Sequence, residues 1–246
     1  NDEIEILDEI ETAWWYDENC NNLTDGGGAT GGAADVMIVA DGSGSVTGDS
    51  SKFQALQDGA ETLVNAVGSD VQVGLTVFAN SANTVANLDD SNSDTITAIQ
   101  NDTNYPGGGT DVGAGINEGQ SELTSGSGAR SGVDKFLVVL TNGVSGGSPR
   151  SAATSAKNAG TDIYGIAYGG GADEDLIEDI SSPPKMDDGT ITDADDFAYD
   201  ADEANLTDIF DDIGGRISQG EEVFYQDTLR NALQLLTSGG GIPLDG

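Results

Sequence analysis

Histidine is absent from this 246-residue chain, and cysteine and basic residues are scarce. Without histidine the chain cannot build a Ser-His-Asp or Cys-His catalytic group, and it lacks a common zinc ligand. Because Cys20 is the single cysteine, no disulfide can form within the chain. Only eight residues are lysine or arginine, so no basic patch is available for phosphates, which argues against nucleic acid as a partner. No apolar run approaches the roughly 20 residues of a membrane-spanning helix.

Acidic residues dominate the composition. Forty-four aspartates and glutamates against eight lysines and arginines give a formal net charge of −36. Such a chain repels itself in dilute salt, whereas at about 1 M salt the screening length falls to about 3 Å and the repulsion largely disappears. The composition therefore predicts a protein adapted to high salt, from a halophilic and archaeal source. The other interpretation, an acidic disordered chain, conflicts with the repeated apolar runs in the middle of the chain.

Short apolar runs alternate with segments of helical periodicity through the middle of the chain. Strands are predicted around residues 36–40, 71–77, 84–88, 136–140, 163–168 and 197–199. Between them apolar residues recur at helical spacing, most clearly in residues 53–67 and 206–217. This alternation predicts an α/β fold: a doubly wound, mostly parallel sheet flanked by helices, which binds its ligands at the carboxyl ends of the strands.

The two ends of the chain differ from the middle. Residues 1–33 are acidic and end in a glycine-rich stretch, so we interpret them as a flank and linker. Residues 34–218 hold the alternating strands and helices and form the predicted main domain. Residues 219–246 lie beyond its last helix. Neither flank is complete alone, so we expect the two to pair with each other or to form a second domain into which the main domain is inserted.

Three loops that follow predicted strands carry side chains with hard oxygen atoms. The first strand runs directly into Asp41, Ser43 and Ser45, with glycines between them. Three glycines precede Thr110 in the second loop, and Asn142 lies in the third. Because the carboxyl ends of parallel strands meet at one edge of a sheet, the loops are expected to converge. Oxygen ligands of this kind suit magnesium or calcium and not a soft metal.

With these loops the chain resembles the von Willebrand factor A family and its metal-ion-dependent adhesion site. Asp41, Ser43 and Ser45 match the family's Asp-x-Ser-x-Ser motif, and Thr110 matches its second-loop threonine. Asn142 stands where the family has an aspartate. The resemblance implies that these five residues form a site for Mg²⁺, or alternatively Ca²⁺ or Mn²⁺. It also implies that one coordination position stays open for a carboxylate of a protein partner.

Two of these assignments have alternatives. A degenerate domain could keep the loops and bind no metal, and the asparagine at position 142 is the reason to consider it. Asp111, which follows the second-loop threonine, is either an acid that orients the loop or the N-cap of the next helix. We favour the cap, because aspartate is among the preferred residues there.

Binding, and not catalysis, is the function that these features favour. Ser43 has no histidine to activate it, so we expect no enzyme. The leading hypothesis is an extracellular adhesion or protein-interaction module. The alternatives are a subunit of a surface filament that binds copies of itself, and a cytoplasmic adaptor of an ATPase complex, a role that the family resemblance also allows. Glycosylation sequons at Asn22, Asn101 and Asn205, together with the glycine linker, favour the cell surface.

Overall fold

The computed structural model describes residues 32–143, 146–183, 191 and 197–219. Most of the two predicted flanks, including Cys20 and Asn22, lies outside the described residues. The pairing of the flanks and the division of the chain into a main domain and two flanks stay predictions.

A single six-stranded sheet organises the described part of the chain. Its strands are β1 (Ala34–Asp41), β2 (Val71–Phe78), β3 (Ala82–Ala86), β4 (Asp134–Thr141), β5 (Thr161–Tyr168) and β6 (Ala198–Ala201). Their order across the sheet is β3-β2-β1-β4-β5-β6. All neighbours pair in parallel except β2 and β3, which are antiparallel. The predicted mostly parallel α/β sheet is confirmed.

Helices connect the strands and cover both faces of the sheet. They are α1 (Gly44–Thr47), α2 (Ser50–Ala66), α3 (Asn92–Ile99), α4 (Val112–Ser125), α5 (Pro149–Asn158), α6 (Glu174–Ile180) and α7 (Leu206–Gln219), and a 3-10 helix spans Asp102–Asn104. One apolar cluster joins the sheet to α2, α3 and α7, and a second joins it to α4, α5 and α6. Within the described ranges, no helix has both the length and the apolar character needed to cross a bilayer.

The position of β1 in the centre of the sheet explains why its sequence is a continuous apolar run. Val36 and Ile38 enter the first cluster, whereas Met37 and Val39 enter the second. A parallel strand that lies between two layers of helices must be apolar on both sides, so the pattern does not alternate. This burial fixes the strand in the middle of the sheet, and its carboxyl end therefore lies at the centre of the edge that carries the candidate site.

Two glycines let α4 lie close to the sheet. A Cβ atom on Gly115 would lie 2.7 Å from the ring of Phe78 and 2.8 Å from Val39. A Cβ on Gly119 would lie 2.9 Å from a methyl group of Leu137. The missing side chains therefore set the distance between this helix and the strands, and with it the position of the loop that precedes the helix.

The edge strand β3 lies two residues earlier than predicted, at Ala82–Ala86 instead of 84–88. The chain reverses directly after β2, where the Ala79 amide donates to the Ser81 carbonyl over 2.9 Å. Leu88 is fully buried but lies beyond the strand, and its amide donates to the Glu122 carboxylate. The apolar pattern included Leu88 in the strand because burial alone does not distinguish a strand from a buried loop residue.

Candidate metal centre

Neighbouring strands bring the first and third predicted loops together. β1 ends at Asp41 and the adjacent β4 ends at Thr141, and the two strands run in parallel. On the other side of β1, the Gly42 amide donates to the Phe78 carbonyl at the end of β2 over 2.7 Å. The candidate site is therefore built where the carboxyl ends of three central strands meet.

Asp41 is fully buried and is held by hydrogen bonds from two loops. Its Oδ1 accepts from the Ser43 amide at 2.8 Å. Its Oδ2 accepts from the Thr141 hydroxyl at 2.7 Å and from the Asn142 amide at 3.3 Å. No lysine or arginine in the described part of the chain forms an ion pair with this carboxylate. Because a buried charge is costly unless it is paired, this arrangement favours a bound cation.

A row of hydroxyl groups leads from Asp41 toward the surface. The Ser43 and Ser45 hydroxyl oxygens lie 2.9 Å apart, and the Ser45 hydroxyl donates to Oδ1 of Asn142 over 2.7 Å. Ser43 is buried and Ser45 is exposed. Ser43 occupies the N-cap position of α1, yet its side chain makes no capping hydrogen bond to the helix. The first loop therefore presents its hydroxyls to the site and to the third loop.

Backbone hydrogen bonds fasten the glycine-rich second loop to the first. The Gly107 amide donates to the Gly42 carbonyl over 2.9 Å, and the Gly44 amide donates to the Gly108 carbonyl over 3.0 Å. Gly107 and Gly108 have φ angles of +70° and +105°, which glycine adopts without the steric cost of a side chain. The glycines thus allow the second loop to fold against the serine motif.

Thr110 belongs to the second loop and lies close to the third loop, and Asp111 caps the next helix. The Thr110 hydroxyl oxygen is 3.5 Å from the position that a Cβ on Gly143 would take. Asp111 is the N-cap of α4, and its carboxylate accepts from the Ala114 amide at 2.9 Å. The expectation that Asp111 caps the helix is confirmed. Its carboxylate is used to hold the start of α4, directly after the threonine.

Two residues support the site that sequence reasoning did not assign to it. Thr141 binds Asp41 directly, and Oδ1 of Asn80 accepts from the Gly109 amide at 3.1 Å, which fastens the second loop from the β2 side. Thr141 is the last residue of β4, and Asn80 lies two residues after β2. Their position at strand ends is the signal that could have indicated them.

The three sequons fall on different parts of the chain. Asn22 lies outside the described residues. Asn101 is exposed, and its side-chain oxygen accepts from the Thr103 amide and hydroxyl at 3.2 and 2.8 Å. Asn205 is exposed directly before α7, and its side-chain oxygen accepts from the Asp202 amide at 2.8 Å. Both described asparagines support local turns, and their glycosylation stays a prediction.

The oxygen ligands gathered at this edge suit a hard cation. They are one carboxylate, two serine hydroxyls and an amide oxygen, with the Thr110 hydroxyl close by. Hard oxygen ligands of this kind fit magnesium, whereas a soft metal prefers sulfur. Within the part of the chain that the structure describes, no cluster of three or more histidines, cysteines, aspartates or glutamates could hold a metal instead.

Comparison with known families identifies the class. The model of the von Willebrand factor type A domain matches residues 35–212. The chain belongs to this family. It is 28% identical over 233 residues to matrilin-1 from Bos taurus, an alignment that covers 89% of this chain and 40% of matrilin-1. The chain therefore spans less than half of that relative.

Solved structures share the fold. Proximal thread matrix protein 1 from the mussel byssus, in a form described as having a zinc-occupied MIDAS motif, superposes with a TM-score of 0.64 at 20% identity, covering 76% of this chain and 48% of that chain. The pilus adhesin SpaC from Lactobacillus rhamnosus GG superposes with a TM-score of 0.60 at 16% identity, covering 76% and 31%. At these identities the likeness establishes the fold alone.

Proposed function

We propose that this chain is an extracellular adhesion module that binds a carboxylate of a protein partner through a magnesium ion. The residues that would hold the ion are Asp41, Ser43, Ser45 and Thr110, with Asn142 beside them. The observation that carries the proposal is the full burial of Asp41 at a cluster of hydroxyl groups, with no lysine or arginine of the described residues paired to it. A divalent cation would compensate that charge.

The chemistry of these oxygen ligands explains how the bound ion would attract a partner. The hydroxyls of serine and threonine are neutral and leave most of the charge of the ion uncompensated. One carboxylate provides a single negative charge against the two positive charges of magnesium. The excess positive charge would then attract an anionic group from outside, and a carboxylate is the hard oxygen ligand that proteins supply for magnesium.

The surroundings of Ser43 favour binding over catalysis. The partner of its hydroxyl is the hydroxyl of Ser45, which is not a base. A serine nucleophile needs an adjacent general base, and the chain contains no histidine. We therefore propose that the domain is not an enzyme and that its serines serve as ligands.

We propose an extracellular, salt-rich setting for the domain, because of its charge and its structural neighbours. The names of two structural neighbours describe a matrix protein of the mussel byssus and a pilus adhesin, which supports an extracellular setting. The net charge of −36 supports a salt-rich one, since molar salt screens the repulsion between this surface and an anionic partner. In brine, abundant magnesium would occupy even a weak site by mass action.

Calorimetric titration of magnesium into chelator-stripped protein, at fixed molar KCl, tests the proposal. We expect the wild type to bind one ion, and Ser43→Ala and Thr110→Ala each to lose nearly all binding. Ser148→Ala is the matched control, because Ser148 is an exposed N-cap whose side chain makes no capping hydrogen bond, and it should bind like the wild type. Equal affinities of the wild type and Ser43→Ala would reject the proposed site.

A further inference from the structure

We infer that Asn142 recognises the partner directly: its side-chain NH₂ group donates a hydrogen bond to the carboxylate oxygen that does not bind the ion. The inference rests on the proposed function, because it needs a carboxylate bound at the metal. It assigns a role in specificity to the one motif position where this chain departs from its family.

The serine hydroxyls fix which way the Asn142 amide faces. A hydroxyl that binds a cation through a lone pair must direct its proton elsewhere. The Ser45 proton goes to Oδ1 of Asn142 over 2.7 Å. With that proton committed, the 2.9 Å contact between the two serine hydroxyls has Ser43 as its donor. Oδ1 of Asn142 is therefore used within the site, and the NH₂ group faces away from Ser45.

The NH₂ group of Asn142 is available to a ligand. It makes no hydrogen bond to any described residue, so its protons can be donated to a ligand. The remainder of the residue is fixed. Asn142 is only 7% exposed, and its backbone amide donates to Oδ2 of Asp41 over 3.3 Å. The result is a firmly held donor beside the exposed Ser45.

An aspartate at this position could not play the same role. It would accept the Ser45 proton equally well, but its second oxygen would be another acceptor and would repel an incoming anion. An amide offers an acceptor to Ser45 and a donor to the ligand at once. The site therefore fits an anion with two adjacent oxygens, one for the ion and one for Asn142, which describes the carboxylate of an aspartate or glutamate side chain.

The test compares two affinities, for magnesium and for acetate as the carboxylate probe. Both are measured at fixed molar KCl, with acetate titrated into protein saturated with magnesium. Asn142→Asp should bind magnesium more tightly than the wild type and acetate about tenfold more weakly, because a hydrogen bond to a charged group is lost and a charge is added. Asn142→Leu removes the donor without adding charge, and it should also bind acetate about tenfold more weakly once magnesium is saturating.

Ser81→Asp controls for charge. Ser81 is exposed in the turn that follows β2, and it accepts from the Ala79 amide through its backbone carbonyl, so an aspartate there adds one charge near this edge of the sheet without disturbing that bond. In molar salt it should change acetate affinity by less than about twofold, because the screening length is about 3 Å. In the wild type loaded with magnesium, acetate should also shift the ¹⁵N resonance of the Asn142 side chain.

The outcomes separate this inference from the proposed function. Magnesium binding by the wild type together with unchanged acetate affinity in Asn142→Leu would overturn the role of Asn142 and leave the metal site intact. A loss of acetate binding in both aspartate variants, with Asn142→Leu unaffected, would assign the effect to charge and also overturn it. Failure of the wild type to bind magnesium would reject the proposed function, and the inference with it.

Discussion

The hydroxyl of Thr141 donates a 2.7 Å hydrogen bond to the buried carboxylate of Asp41. The two residues end the adjacent strands β4 and β1, and both are fully buried. A hydrogen bond to a charged group contributes about 1.5–3 kcal/mol, more than the roughly 0.5–1.5 kcal/mol of a neutral one. Thr141 therefore stabilises negative charge at the position where we propose that a cation binds.

Replacing Thr141 by valine, which keeps the shape of the side chain, tests this contact. In the presence of a chelator we expect Thr141→Val to lower the free energy of unfolding by about 1.5–3 kcal/mol. Saturating magnesium should reduce the loss, because the ion then compensates the charge of Asp41. Chemical denaturation in molar KCl, with and without magnesium, measures both values.

Thr95→Val provides the matched control for this substitution. The Thr95 side chain is equally buried, and it donates to the neutral Val73 carbonyl over 2.8 Å. We expect a loss of about 1 kcal/mol that is the same with and without magnesium. If the Thr141→Val deficit were also independent of magnesium, the link between this hydrogen bond and the ion would be wrong.

The sequence predicted the parts of the fold that depend on local pattern. The apolar run of β1 indicated a strand buried on both faces, and the residue types of the serine motif indicated hard oxygen ligands. The predicted cap at Asp111 followed from its place before an apolar helical stretch and is confirmed. Each of these predictions needed only a few neighbouring residues and general stereochemistry.

The contacts that complete the site depend on strand order, which local pattern does not contain. Thr141 and Asp41 are 100 residues apart and meet only because β1 pairs with β4. Asn80 contributes because β2 lies on the other side of β1. The boundary of β3 was misplaced for a related reason, since the burial of Leu88 arises from tertiary packing and not from a strand.

Thermal stability should rise strongly with salt concentration. The net charge of −36 makes the folded chain repel itself, and molar salt removes most of that repulsion. We expect the melting temperature to increase steadily from low salt to molar KCl in a calorimetric or circular dichroism experiment. A melting temperature that stayed flat across this range would reject adaptation to high salt.

Asp200 offers a local test of the same repulsion. Desolvation, followed by the carboxylates of Glu174 and Asp202, raises the pKa of Asp200 above its usual value. A raised folded-state pKa means that the folded protein holds the proton longer, so this group destabilises the fold as pH rises through that pKa. Asp200→Asn should therefore raise the melting temperature at neutral pH and low salt. The gain should shrink below about pH 4, where an ordinary aspartate also becomes protonated, and in molar salt.

Asp35 should respond to salt much less than Asp200, because its carboxylate is fully buried and ion-paired. Its carboxylate is fully buried at the start of β1, 2.7 Å from the Arg130 guanidinium and 2.5 Å from the Lys135 ammonium. Removing one partner of a fully buried pair costs about 3–5 kcal/mol. The loss should be smaller here, because the Arg130 and Lys135 side chains are 31% and 15% exposed. Since the buried Asp35 carboxylate is screened much less than an exposed one, we expect Asp35→Asn to lower the free energy of unfolding by about 1–3 kcal/mol in low salt and in molar KCl alike.

The exposed ion pairs of Arg150 with Asp175 and Asp179 supply the contrast. Exposed pairs contribute about 0–1 kcal/mol and are screened by salt, so Arg150→Gln should have a small effect that disappears in molar KCl. Chemical denaturation of both variants at the two salt concentrations separates the two kinds of pair. If the Asp35→Asn deficit also vanished in molar KCl, Asp35 would be acting as a surface charge. Arg130 and Lys135 would then contribute little to the stability of that end of the sheet in molar salt.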